Sequence, residues 1–228
     1  MKENLTWLVW VIDRSGSMSS IATDMIGGFN DFIRKQKKLP GDCKVFAYQF
    51  DDYYDVIYDG VDIKFVSELT DATYVPRGST ALYPSLGKTI ADIGRKLAEM
   101  DEKDRPEKVL VITVTDGQHN SGLRNAEAVY TLAQVKEMIT IQTEQYKWDF
   151  VYIGANQDAW SVGDAMGVQG STKLNYCASA AGVKGMYDTL SDATSLYRSS
   201  KGVKFAFTAA DVTGKTDAEK DFDDEAKS

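Results

Sequence analysis

The sequence has one histidine, two cysteines and four prolines among its 228 residues. Each shortage excludes something. With His119 as the lone histidine, a histidine-rich metal centre is ruled out. Cys43 and Cys177 lie far apart in the chain, so neither a disulfide framework nor a zinc site is expected, and both read as buried, reduced thiols. Basic residues number 26 against 34 acidic ones, a net charge of −8. That balance argues against nonspecific binding to nucleic acid or to an anionic membrane. No apolar run approaches the length of a membrane span. The apolar run near the N-terminus is too short for a secretory signal, and a cytoplasmic location is expected. The Gly-x-Ser-x-Gly of many hydrolases and the glycine-rich phosphate loop of the Walker type are both missing. What is plentiful is apolar surface: 43% hydrophobic residues suffice for a sizeable core.

The chain is organised around residues 7–18. Trp7 to Ile12 is a near-continuous apolar run, the pattern of a strand buried on both faces in a parallel sheet. It stops at Asp13, and Ser15, Gly16 and Ser17 follow. A carboxylate and two hydroxyls, spaced D-x-S-x-S, therefore stand at the carboxyl end of a buried strand. In open α/β sheets that edge is where ligands bind. Oxygen-only ligands suit a hard divalent cation such as Mg2+, Mn2+ or Ca2+. The plainer role for Asp and Ser at this place is to cap the next helix. Two further stretches favour the cation. Gly78-Ser79-Thr80-Ala81-Leu82 brings a hydroxyl into a glycine loop before a helical pattern. A second buried strand, 109–115, ends in Asp116-Gly117.

This set resembles the metal-ion-dependent adhesion site of von Willebrand factor A domains. All five liganding positions of that family are matched, by Asp13, Ser15, Ser17, Thr80 and Asp116. The later stretch Tyr152-Ile153-Gly154-Ala155-Asn156-Gln157-Asp158 is similar to the small stand-alone A-domain proteins of bacteria and their phages. The resemblance implies a doubly wound, Rossmann-like α/β fold with helices on both faces of a mostly parallel sheet. It also implies one divalent cation, Mg2+ first and Mn2+ or Ca2+ as alternatives. The family site leaves a coordination position open, which an Asp or Glu of a protein partner fills. Arg14, Arg77, His119 and Asn120 share these loops and are candidates for a rim that recognises an anionic partner. The chain is thus expected to be a binding module and not an enzyme. The alternative is a metal-dependent hydrolase of the phosphoesterase kind, which would usually want more carboxylates or a second cation.

The remaining pattern alternates strand and helix, as a doubly wound sheet requires. Helices are expected over 19–38, 82–100, 125–146, 159–166 and 178–198. Ala126, Val129, Ala133 and Ile139 are the buried candidates of the third. Strands are expected over 43–50, 54–58, 61–66, 149–153 and 171–176. Asp59-Gly60 reads as a turn between antiparallel neighbours, which gives the sheet one antiparallel edge. Val9, Val11, Val111, Ile112, Val114 and Val151 should be among the most buried residues. The A domain is placed at 1–200, with an extension at 201–228. Residues 203–207 are apolar enough to pack, whereas 211–228 read as a flexible acidic tail. Such a tail is a candidate ligand for the cation of its own domain or of a second copy, a route to self-association.

Overall fold

The computed structural model describes residues 1–126, 129–155 and 159–208. Asn156 to Asp158 and the acidic tail lie outside the described residues. Six strands form one sheet in the order β3-β2-β1-β4-β5-β6. These are β1 (Lys2–Asp13), β2 (Asp42–Phe50), β3 (Tyr54–Asp62), β4 (Pro106–Thr115), β5 (Asp149–Ala155) and β6 (Lys173–Tyr176). Only the β2–β3 pair is antiparallel. The helices are α1 (Ala22–Lys37), α2 (Leu82–Ala98), α3 (Leu132–Gln145), α4 (Ala159–Ala165) and α5 (Ala180–Ser199). The doubly wound architecture with one antiparallel edge is therefore as the sequence predicts.

The apolar runs decide the layering. Along β1, Leu8, Trp10 and Ile12 face one side and join Phe29, Phe32 and Ile33 of α1 and Val183, Met186 and Leu190 of α5 in one core. Trp7, Val9 and Val11 face the other side and pack with Leu86, Ile90 and Ile93 of α2 and Val135 and Ile139 of α3. A strand covered on both faces has no polar side, which is why its sequence does not alternate. Val9, Val11, Val111, Ile112, Val114 and Val151 are all buried. Trp10 sets the α1 face: Phe29 and Phe32 meet its ring edge-on at centroid distances of 5.2 and 4.8 Å.

At the amino-terminal edge of the sheet, buried Lys108 of β4 donates from Nζ to the carbonyls of Tyr197 (2.6 Å) and Ser200, ending α5 where helix carbonyls need donors. Phe205 and Phe207 are buried beside Tyr197, so the apolar part of the extension does pack, while Val203 is exposed.

Several boundaries differ from expectation. Residues 16–21 form a 3-10 helix before α1. Asp59-Gly60 is not a turn: β3 runs through it, with Phe46 opposite Asp59 and Val45 opposite Val61, so Gly60 is the extra residue of a bulge, at φ +75°. The strand expected over 61–66 ends at Asp62 and gives way to a 3-10 turn at Ile63–Phe65. β5 extends through Gly154 and Ala155. Helix α3 starts seven residues later than the apolar spacing suggests, because Thr131 caps it. Thr131 Oγ accepts from the Gln134 backbone while Gln134 Oε1 accepts from the Thr131 N–H, a reciprocal capping box. Upstream of that cap Val129 is exposed, and within α3 Ala133 is exposed too; of the four expected, only Ile139 is fully buried.

Candidate metal site

The chain leaves β1 towards β2 and later returns to the other side of β1 as β4. Between the carboxyl ends of β1 and β4 the winding reverses, and in such sheets that switch point opens a crevice. Asp13 ends β1, Thr115 ends β4, and Asp116 follows. The loop before α2 brings Thr80 to the same place. The ideal Cβ position at Gly117 lies 3.1 Å from Thr80 Oγ1 and 3.5 Å from Ser17 Oγ, so both hydroxyls reach Gly117. Ser17 Oγ donates to Asp116 Oδ1 at 2.7 Å, and Ser15 Oγ lies 3.0 Å from Ser17 Oγ. The five expected ligands thus converge from three loops onto one spot.

The carboxylates are prepared as anions in an unfavourable place. Asp13 is fully buried. Its Oδ1 accepts from the Ser15 N–H at 2.6 Å and its Oδ2 from the Thr115 hydroxyl at 2.5 Å. Burial nevertheless outweighs these bonds and, with nearby Asp116, pushes its pKa up to about 6. Burial raises the Asp116 pKa as well. Two carboxylates short of positive charge, beside three neutral hydroxyls, fit a hard divalent cation. Asp13, Ser15, Ser17, Thr80 and Asp116 would hold it.

Other residues of the site had no signal in the sequence. Thr115 orients Asp13 and in turn accepts from the Gly117 N–H at 3.1 Å. The Tyr74 hydroxyl donates to the Asp13 carbonyl at 2.6 Å. The loops are also stitched main chain to main chain. Arg77 N–H donates to the Arg14 carbonyl (2.8 Å), Gly16 N–H to Gly78 (3.1 Å), Ala81 N–H to Asp51 (3.0 Å), Asn120 N–H to Thr80 (3.0 Å) and Arg124 N–H to Asp52 (2.8 Å).

The four candidate rim residues fare differently. Arg14 is 5% exposed and does not line an open rim. It is drawn inward by Asp51, whose Oδ2 lies 3.1 Å from its Nε as an ion pair outside hydrogen-bond alignment, and by Asp55, which its Nη2 contacts. Arg77 is half-exposed, but its Nε donates to Asp51 Oδ2 at 2.7 Å. Both guanidinium groups are therefore already neutralised. Asn120 holds Thr80, accepting from its N–H at 2.8 Å. His119 lies against Tyr83 with ring centroids 4.4 Å apart and planes tilted by 37°, and burial lowers its pKa.

A cleft of about 520 Å³ lies at the opposite edge of the sheet, floored by Leu97, Val109 and Trp148, and none of the five ligand candidates lines it.

No family model matches the sequence, and no curated protein matches it. Solved structures do. The von Willebrand factor domain of the type V pili tip protein from Porphyromonas gingivalis superimposes with a TM-score of 0.61 at 10% identity, over 87% of this chain and 98% of that one. A von Willebrand factor type A protein from Catenulispora acidiphila gives 0.55 at 15% identity, over 83% and 42%. Proximal thread matrix protein 1 from the mussel byssus, with a zinc-occupied adhesion-site motif, gives 0.55 at 14% identity, over 83% and 46%. The chain spans less than half the length of these last two. Identities this low speak for the fold alone. The reversal of winding beside β1, the antiparallel edge and the two helical layers are those of the von Willebrand factor A fold.

Proposed function

We propose that the protein is a binding module that takes a divalent cation at Asp13, Ser15, Ser17, Thr80 and Asp116 and uses it to recognise a carboxylate of a protein partner. The observation that carries this reading is the convergence of two charge-starved carboxylates and three hydroxyls at the switch point. Two carboxylates only balance a divalent cation, so an incoming Asp or Glu remains favourable. The zinc-occupied motif of the mussel protein supports a divalent cation in this fold; Mg2+ is the cation proposed here. Binding is favoured over metal-dependent hydrolysis by the ligand supply. Among the described residues no group of three His, Cys, Asp or Glu side chains is placed to hold a further metal ion, as a two-metal phosphoesterase would need.

The test is calorimetric titration of Mg2+ and Mn2+ into the wild type and into Asp116→Ala. The wild type should bind one equivalent and the variant none, with the fold retained. Capture of partners from the native host should be lost in EDTA and with Thr80→Ala. Equal titration of both proteins would sink the ligand assignment, and capture indifferent to EDTA would sink metal-bridged recognition.

A further inference from the structure

We infer that Asp51, at the exit of β2, is a positioning residue: it holds the Thr80 loop against the Asp13 loop and so sets the spacing of the cation ligands, an inference that rests on the cation reading above. β2 supplies no candidate ligand, yet its end lies at the centre of the site's scaffold. Asp51 is fully buried. Its Oδ1 accepts from the Tyr53 N–H at 2.5 Å, which fixes the carboxylate plane. Its Oδ2 lies 3.1 Å from Arg14 Nε and accepts from Arg77 Nε at 2.7 Å. Arg14 stands between the ligands Asp13 and Ser15, and Arg77 stands three residues before Thr80. The Asp51 carbonyl accepts from the N–H of Ala81, the residue after Thr80, at 3.0 Å. One residue therefore grips the Thr80 loop on both sides and the Asp13 loop at its middle.

The neighbouring residue tightens the same joint. A Cβ at Gly78 would come within 2.2 Å of Asp52 Oδ1, and Gly78 has φ +65°, so the Thr80 loop lies directly on the β2 exit. A buried ion cluster is a weak source of stability, because desolvation offsets the Coulomb gain. What it supplies is a fixed angle and distance between two loops, and metal affinity is sensitive to such outer supports. This also accounts for both arginines: they are braces for the ligand loops.

The experiment measures Mn2+ affinity of the full chain by titration, following the free-ion electron paramagnetic resonance signal, with circular dichroism to establish that each variant is folded. Asp51→Asn keeps the shape and the Tyr53 bond but removes the charge. Arg77→Met cuts the Thr80 side of the brace at a half-exposed side chain. Each should weaken Mn2+ binding about tenfold or more. Arg34→Met, which breaks an exposed pair with Asp31 and Glu68 at the far end of α1, should leave affinity unchanged. The discriminating measurement is a cycle of Arg77→Met with Thr80→Ala. If Asp51 acts through Thr80, Arg77→Met adds nothing once the Thr80 hydroxyl is gone; a general loss of rigidity would add in full. Wild-type affinity in Arg77→Met, or additive losses in the cycle, overturns the positioning role while leaving the cation site standing. A wild type that binds no Mn2+ overturns both. Should Asp51→Asn fail to fold, the Arg77 and Thr80 cycle decides alone.

Discussion

Replacing Asp13 by Asn should stabilise the metal-free protein and destroy its response to metal. Asp13 is wholly buried and its pKa is raised from 3.8 to about 6, first by desolvation. Between roughly pH 4 and pH 6 the folded chain holds a proton that the unfolded chain has released, so this group's contribution to stability falls as pH rises through that window and stays low above it. A shift of about two units corresponds to roughly 3 kcal/mol of destabilisation at pH 8. Asn keeps an acceptor for the Ser15 N–H, and its amide can donate to Thr115 Oγ, so the substitution removes the charge with little else. In EDTA at pH 8 the variant should melt several degrees above the wild type, at about 2–4 °C per kcal/mol for a chain of this size. At pH 4 the gap should close. In millimolar Mg2+ the order should reverse, because mass action raises the wild type alone. Differential scanning calorimetry across this grid is the assay. A variant less stable than the wild type in EDTA at pH 8, by a margin that does not change with pH, would refute the claim that Asp13 is an unfavourable anion awaiting a cation.

Three further outcomes are expected. Thr115→Val removes the hydroxyl that donates to Asp13 Oδ2 and should cost about 1–3 kcal/mol in urea unfolding, with weaker Mn2+ binding. Gly28→Ala would place a methyl 2.1 Å from the Tyr187 ring and wedge α1 from α5; about 1–3 kcal/mol should be lost by the same measurement. Thr131→Ala removes the cap of α3 and should cost about 1 kcal/mol, with hydrogen exchange quickened in the first turn of α3 and unchanged in β4.

The sheet was legible because its central strands announce themselves: Trp7 to Ile12 and Val109 to Thr115 are apolar at every position or nearly so, and only a doubly covered strand wants that. The ligand candidates were legible because each sits directly after such a strand or in a glycine loop before a helix. The start of α3 was not, since Ala126 and Val129 happen to keep helical spacing. There the side chain of Asn125 instead pairs with both backbone groups of Tyr54, accepting from its N–H and donating to its carbonyl at 2.9 Å each, and the helix waits for Thr131. The inward turn of Arg14 was not legible for a different reason. Its burial depends on Asp51 and Asp55, distant in sequence, and no local pattern shows that an arginine beside a ligand will be turned inward.

The main-chain stitching of the ligand loops has a bearing on how such a surface changes over generations. Because Arg77, Gly16, Ala81, Asn120 and Arg124 are tied through their N–H groups to carbonyls of neighbouring loops, those ties survive a change of most side chains. Outward-facing positions such as Val75 and Ser79 are exposed on the loop that carries Thr80. They are free to vary in size and charge while the inner oxygens stay where they are. On the function proposed above, a lineage could exchange one binding partner for another by repainting the border, without rebuilding what it encloses.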